Sequence, residues 1–182
     1  MTEATLRTFI AFPIGERVVE KIGSLQKDLK PLKINAKMVD PKKIHLTLKF
    51  LGETPEQQLP SIITALNTIP LQPFTATLAH LGAFPTPVNP KVLWIGLEPQ
   101  KPFNTLYNHI NHALPSPAEK RFHPHITLAR IKGPYDKKTV EHKLKTRIPP
   151  ETFTIITFTL YQSTLAPQGP VYKELKTFPA NL

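Results

Sequence analysis

Two strand-patterned runs, KKIHLTLKFLGE at residues 42–53 and RFHPHITLARIKG at residues 121–133, each carry a histidine and a threonine two positions apart. Side chains alternate across a strand, so positions i and i+2 share a face. In the first run Ile44, Leu46, Leu48 and Phe50 fall on one side, which leaves His45, Thr47 and Lys49 together on the other. In the second, Ile126 and Leu128 take the core side, while His125, Thr127 and Ala129 share the opposite one. A single His and Thr on a half-exposed strand is ordinary surface. Two such pairs with matching apolar flanks mark a duplicated structural unit.

The surroundings repeat too. LRTFIAF (residues 6–12) reads as a strand, and Pro13 and Gly15 separate it from a helix, ERVVEKIGSLQKDL, with Val19, Ile22, Leu25 and Leu29 on one stripe. After the first histidine strand come a helix whose regular part starts near Pro60 and a strand, PFTATLAHLGAF. The order then restarts with the strand KVLWIGL and a helix with Phe103, Leu106, Ile110 and Leu114 inward. The second histidine strand, the helix YDKKTVEHKLKTRI and a long alternating strand, TFTIITFTLYQSTL, complete it, and PVYKELKTF adds a final strand. Both halves therefore read strand, helix, histidine strand, helix, strand. The 21 prolines among 182 residues, about twice the ~5% average, sit mostly at element boundaries and stiffen loops. No linker separates independent units, so residues 1–182 are read as a single domain of two similar lobes facing each other.

Several classes of chemistry are disfavoured. Without cysteine the chain has no disulfide, thiolate nucleophile or cysteine-based zinc site. Seven glycines and no glycine-rich phosphate loop argue against a dinucleotide or NTPase fold. His123 and His125 resemble a metal pair, but divalent catalytic sites add carboxylates or further histidines, and Asp28, Asp40 and Asp136 all lie elsewhere in the chain. No metal and no cofactor are expected. His109 and His112 lie off the apolar stripe of their helix and read as solvent-exposed. The start of the chain lacks a signal-peptide pattern and no apolar run approaches the ~20 residues that span a bilayer, so no membrane association and a cytoplasmic, monomeric protein are expected. Lys and Arg outnumber Asp and Glu by 23 to 13, for a formal charge of +10, which favours a polyanionic partner.

If the lobes pack with pseudo-twofold symmetry, the two imidazoles face one small site. Histidine's ordinary pKa of about 6.5 lets one ring be neutral and the other charged near neutrality, as base and acid. Thr47 and Thr127 can donate hydrogen bonds to non-bridging phosphate oxygens. Such a site suits a phosphodiester whose nucleophile and leaving oxygen lie on opposite sides of phosphorus.

On these motifs, and on RTFIAFPI, GAFPTPVNPKVLWIGL and LYQSTLAPQGPVY elsewhere, the chain resembles the RNA 2′,3′-cyclic phosphodiesterase family, also called the 2′-5′ RNA ligase family, of the two-histidine phosphoesterase superfamily. The resemblance implies a bilobal α+β fold, with two pseudo-symmetric lobes of antiparallel sheet and outer helices flanking a central cleft. It implies metal-independent hydrolysis of RNA 2′,3′-cyclic phosphate ends, tRNA-like ends among them, to 2′-phosphomonoesters. His45 would be the proton donor to the leaving 3′-oxygen, His125 the proton acceptor from water, and Thr47 and Thr127 the phosphate holders. With an RNA 5′-hydroxyl in place of water, the same machinery would join ends through a 2′-5′ linkage. Alternatives are a phosphodiesterase for small cyclic nucleotides and a non-catalytic RNA-end binding module.

One departure is Met38, where relatives commonly carry a tryptophan; Phe84 or Tyr161 would then supply stacking. Lys49 and Arg130 are candidate substrate contacts. Lys49 shares the face of His45 and Thr47, whereas Arg130 has core-side parity, odd for a charge. Two readings of Arg130 stand: a phosphate contact at the cleft rim, or a structural pair with an acid. Arg121 is equally open, and Trp94 and Tyr107 read as core.

Overall fold

Pro13 and Gly15 close the first strand as their chemistry requires, and the helix after them buries Val18, Ile22, Leu25 and Leu29. The computed structural model describes residues 4–32, 34–114 and 122–181. In chain order the elements are β1 (Thr5–Pro13), α1 (Glu16–Leu29), β2 (Ala36–Met38), β3 (His45–Pro55), α2 (Leu59–Asn67), β4 (Phe74–Pro85) and β5 (Pro90–Glu98). They continue with α3 (Gln100–Ala113), β6 (His125–Ile131), α4 (Lys137–Lys145), β7 (Thr152–Ile155), β8 (Thr157–Ala166) and β9 (Gly169–Pro179). A short 3₁₀ turn at Glu56–Gln58 precedes α2, so regular helix begins beside Pro60 as its missing N–H demands.

The strands form two antiparallel sheets, ordered β3-β1-β8-β9 and β2-β6-β5-β4-β7. Each histidine strand lies beside the strand that opens its own half of the chain, β3 beside β1 and β6 beside β5. The halves are nevertheless interlaced. β4, from the first half, pairs with β5 in the second sheet, and β8, from the second half, pairs with β1 in the first. The helices cross over as well. Phe103 of α3 packs edge-on against Phe12 of β1, at 5.7 Å between ring centroids, while Leu29 of α1 lines one small apolar cavity with Leu81, Leu93 and Leu128 of the second sheet. A lobe is therefore not one half of the sequence.

The run 152–165 is not one strand. Its apolar parity changes from Phe153 and Ile155 to Phe158 and Leu160, and the chain passes from the second sheet to the first at Ile156, which is exposed. A strand buries one parity, so a change of parity forces either a bulge or a change of sheet. Buried residues from both sheets join in one continuous core. The opposite face of the first sheet carries a cluster of Phe9, His45, Tyr161 and Tyr172. Among the described residues no helix is long and apolar enough to cross a membrane.

Candidate active site

Both histidine strands bend at the same place. In β3, Ile10 pairs with Lys49 but Ala11 pairs with Thr47, so Leu48 is an extra residue. In β6, Trp94 pairs with Thr127 but Leu93 pairs with Ala129, so Leu128 is the extra one. A bulge places two residues opposite one and reverses the parity of the strand beyond it. Hence Leu48 and Lys49 are both buried and Phe50 turns outward, and likewise Leu128 and Ala129 are buried and Arg130 turns outward.

This reversal corrects the expected faces of Lys49, Phe50, Ala129 and Arg130, and Ala129, expected beside His125 and Thr127, is wholly buried in the core. Lys49 does not share the face of His45 and Thr47. It is 4% exposed, and its Nζ donates to Asn111 Oδ1 and, at 3.0 Å, to Leu114 O at the C-terminal end of α3. Burial pulls its pKa below the ordinary lysine value. It ties β3 to a helix and is not placed to meet a substrate. Phe50, expected in the core, is 57% exposed and lies 6.0 Å from the Phe9 ring. Arg130 escapes the core parity that made it anomalous. Its charge acts on His45, His125 and Tyr172 alike, and among the described residues neither ion pair involves it. Arg121 lies outside the described residues.

The two imidazoles have equivalent settings. His45 Nδ1 donates to Lys43 O and His125 Nδ1 to His123 O, both at 2.7 Å. A carbonyl only accepts, so each Nδ1 carries its proton and each Nε2 is left for another partner. The ring of Tyr172 meets His45 edge-on at 5.1 Å and 87°, and that of Phe84 meets His125 at 5.0 Å and 87°. Phe9 and Trp94 complete the two aromatic settings at 5.1 and 6.0 Å. Thr47 and Thr127 stay half-buried, each separated from its histidine by a single core residue, Leu46 or Ile126.

β3 and β6 approach each other directly, and the charge of His125 opposes protonation of His45. Burial is the larger cause and holds both imidazoles below histidine's ordinary pKa, with the Arg130 guanidinium adding to it in each case. From His45 an open groove of about 710 Å³ runs outward past Glu16, Glu20, Lys42, Lys43, Tyr172 and Glu174. Its mouth is basic beside Lys43. Gly169, at a φ of +113° that side chains rarely adopt, brings the β8–β9 turn so close that a Cβ there would lie 3.7 Å from Lys43 Nζ and 3.9 Å from Lys37 Nζ.

The remaining candidates separate cleanly. Tyr161 stacks on Phe9 at 5.2 Å and 19°, while Met38 is half-buried in β2 with Ala129 as its backbone partner. His109 and His112 are exposed, and Trp94 and Tyr107 are each 7% exposed. Sequence reasoning missed Phe9, Phe50 and Tyr172. The available signal was the fifth position after each motif histidine, apolar Phe50 in one copy and charged Arg130 in the other. One core parity cannot suit both.

A model of the 2′-5′ RNA ligase superfamily matches residues 16–166. A protein of Archaeoglobus fulgidus named RNA 2′,3′-cyclic phosphodiesterase is 32% identical over 95% of this chain and 99% of its own. A Thermotoga maritima protein of the same name is 33% identical over 93% of each. E. coli LigT in its apo form superposes with a TM-score of 0.79 at 27% identity, covering 100% of both chains. Its complex with 3′-AMP superposes at 0.78 and 26% identity, covering 100% of both. With a family match over most of its length, on a fold whose two bulged histidine strands carry equivalent imidazoles, the chain belongs to the 2′-5′ RNA ligase superfamily.

Proposed function

We propose that the protein hydrolyses the 2′,3′-cyclic phosphate at an RNA 3′ end to a 2′-phosphomonoester, with His45 and His125 moving the protons and no metal taking part. The observation that carries this reading is the pair of equivalent imidazoles, each with Nδ1–H engaged by a carbonyl and Nε2 free. Water attacks phosphorus and gives its proton to neutral His125 Nε2. The P–O3′ bond breaks, and the 3′-oxygen takes a proton from Nε2 of charged His45. Thr47, Thr127 and Arg130 donate to the non-bridging oxygens as negative charge builds on them. With an RNA 5′-hydroxyl as nucleophile the same steps give a 2′-5′ linkage. The names of the A. fulgidus and T. maritima relatives and the 3′-AMP complex of LigT support this substrate class.

The groove beside His45 suits the terminal nucleoside and the chain behind it, because the 3′-oxygen leaves on that side. At about 710 Å³ it lies within the ~300–1,000 Å³ of usual small-molecule sites, and Lys42, Lys43 and the rings of Phe9, Tyr161 and Tyr172 line it with groups that suit phosphate and bases. An oligonucleotide and a mononucleotide, each ending in a 2′,3′-cyclic phosphate, should both be hydrolysed in excess EDTA. The oligonucleotide is expected to show the higher kcat/KM at low salt, an advantage that narrows as salt displaces phosphate contacts. Loss of turnover on chelation would sink the metal-free route. Equal kcat/KM for both substrates at every salt concentration would move the reading to small cyclic nucleotides.

The pH dependence has a determined sign. Catalysis needs His45 charged and His125 neutral, yet the fold lowers both pKa values below the ordinary 6.5. In the free enzyme the charged fraction of His45 therefore falls about tenfold per pH unit above that point. The kcat/KM profile should be a bell centred below pH 6.5. The kcat profile should lie higher, because a bound phosphate anion favours the charged imidazole. Rate profiles for kcat/KM and kcat that coincide above pH 7 would contradict this assignment.

A further inference from the structure

We infer that Gln26 and Asn111 are paired positioning residues: each is a helix amide from one half of the chain that holds the bulged histidine strand of the other half. The inference rests on the proposed phosphodiesterase reading and adds to it what keeps the two half-sites in register.

Gln26 lies on α1 and is 6% exposed. Its Nε2 donates to Leu128 O at 2.9 Å and to Val39 O at 2.8 Å. Leu128 is the extra residue of the β6 bulge, and its carbonyl, displaced from the ladder, also accepts from Val39 N at 2.9 Å. A buried carbonyl is costly to leave without partners, so these two donors stabilise the bulge itself. Thr127 lies just before that bulge and Arg130 just after it.

Asn111 occupies the matching place on α3. It follows buried Ile110 and precedes Leu114 by one helical turn, as Gln26 follows Leu25 and precedes Leu29. Its Oδ1 accepts from Lys49, the residue after the extra Leu48 of the β3 bulge. The polarity is inverted, since Gln26 donates to a bulge carbonyl while Asn111 accepts from a bulge side chain. The placement on the helix, between two apolar residues of its stripe, is the same. Because each sheet is backed by the helix of the opposite half, these contacts are polar side-chain links by which one half of the chain grips the reactive strand of the other.

Loosening a bulge would let Thr127 and Arg130, or Thr47, drift from the phosphate, and misplacement by about 1 Å can cost about 10²-fold in rate. The test is a double-mutant cycle on wild type, Gln26→Met, Arg130→Ala and the double variant, with kcat and KM measured on a cyclic-phosphate oligonucleotide. Gln26→Met should lower kcat by about 10-fold or more with a smaller change in KM, and should cost less than about 3-fold once Arg130 is absent. A Gln26→Met enzyme within about 2-fold of wild type, or one whose loss is the same in both backgrounds, would overturn the inference. If Gln26→Met does not fold, the decision passes to Asn111. Asn111→Leu should lower kcat by about 10-fold, while Asn111→Asp, which keeps an acceptor for Lys49, should return it to within about 3-fold of wild type. Equal losses in the two Asn111 variants would overturn it. An inactive wild-type protein would instead refute the phosphodiesterase reading.

Discussion

Replacing either His45 or His125 by alanine is expected to lower kcat on an RNA 2′,3′-cyclic phosphate by about 10²–10⁴-fold. Each ring has Nδ1 committed to a carbonyl, and only Nε2 remains to give or take the proton. No neighbouring imidazole is placed equivalently: the rings of His80 and His123 lie 6.2 Å apart, and His123 lends its backbone carbonyl to orient His125. Because both protons move in one displacement, the double variant should lose far less than the product of the single losses. Release of the 2′-phosphomonoester, followed by phosphorus NMR or chromatography, provides the measurement. A single variant with near wild-type turnover would remove that histidine from proton transfer. Tight binding of cyclic-phosphate ends with no product from the wild-type protein would favour a binding module.

The second large effect belongs to Arg130. Arg130→Ala should reduce kcat/KM by about 10²–10³-fold, the usual loss when one preorganised donor to a developing anion is removed. Arg130→Lys should recover only part of it, because a point charge does not reproduce a planar fork. Phe50, in the equivalent place of the other lobe, offers no charge, so Phe50→Ala should cost far less. The half-sites are thus alike in their histidines and threonines and unlike in the residues just beyond their bulges. Equal effects at Arg130 and Phe50 would show that the guanidinium does not act on the phosphate.

How much of this was legible in the chain can be judged strand by strand. His45, Thr47, His125 and Thr127 precede the bulges, so simple alternation placed each pair on one face correctly. Lys49, Phe50, Ala129 and Arg130 lie beyond the bulges, and alternation put all four on the wrong side. A bulge is a property of a strand pair, visible only once Ile10 and Ala11 pair with Lys49 and Thr47. The long run at 152–165 failed for a related reason. Its parity change at Ile156 was present in the residues, but whether a parity change means a bulge or a change of sheet depends on what lies on either side.

The family resemblance implied the two antiparallel sheets, while the residues themselves determined the element order, apart from β2 and the division of the run 152–165, and the local His-x-Thr geometry. Those come from periodicity, proline and glycine punctuation, and spacings within a single strand. Only the tertiary structure decided which half of the chain backs which sheet, that Lys49 is a buried tie, and that Arg130 turns out of the core. These depend on pairings between residues far apart in sequence, such as Gln26 with Leu128 and Lys49 with Asn111. Local periodicity constrains the face a residue occupies within its own strand; it carries no information about which distant partner will satisfy a carbonyl that a bulge has displaced.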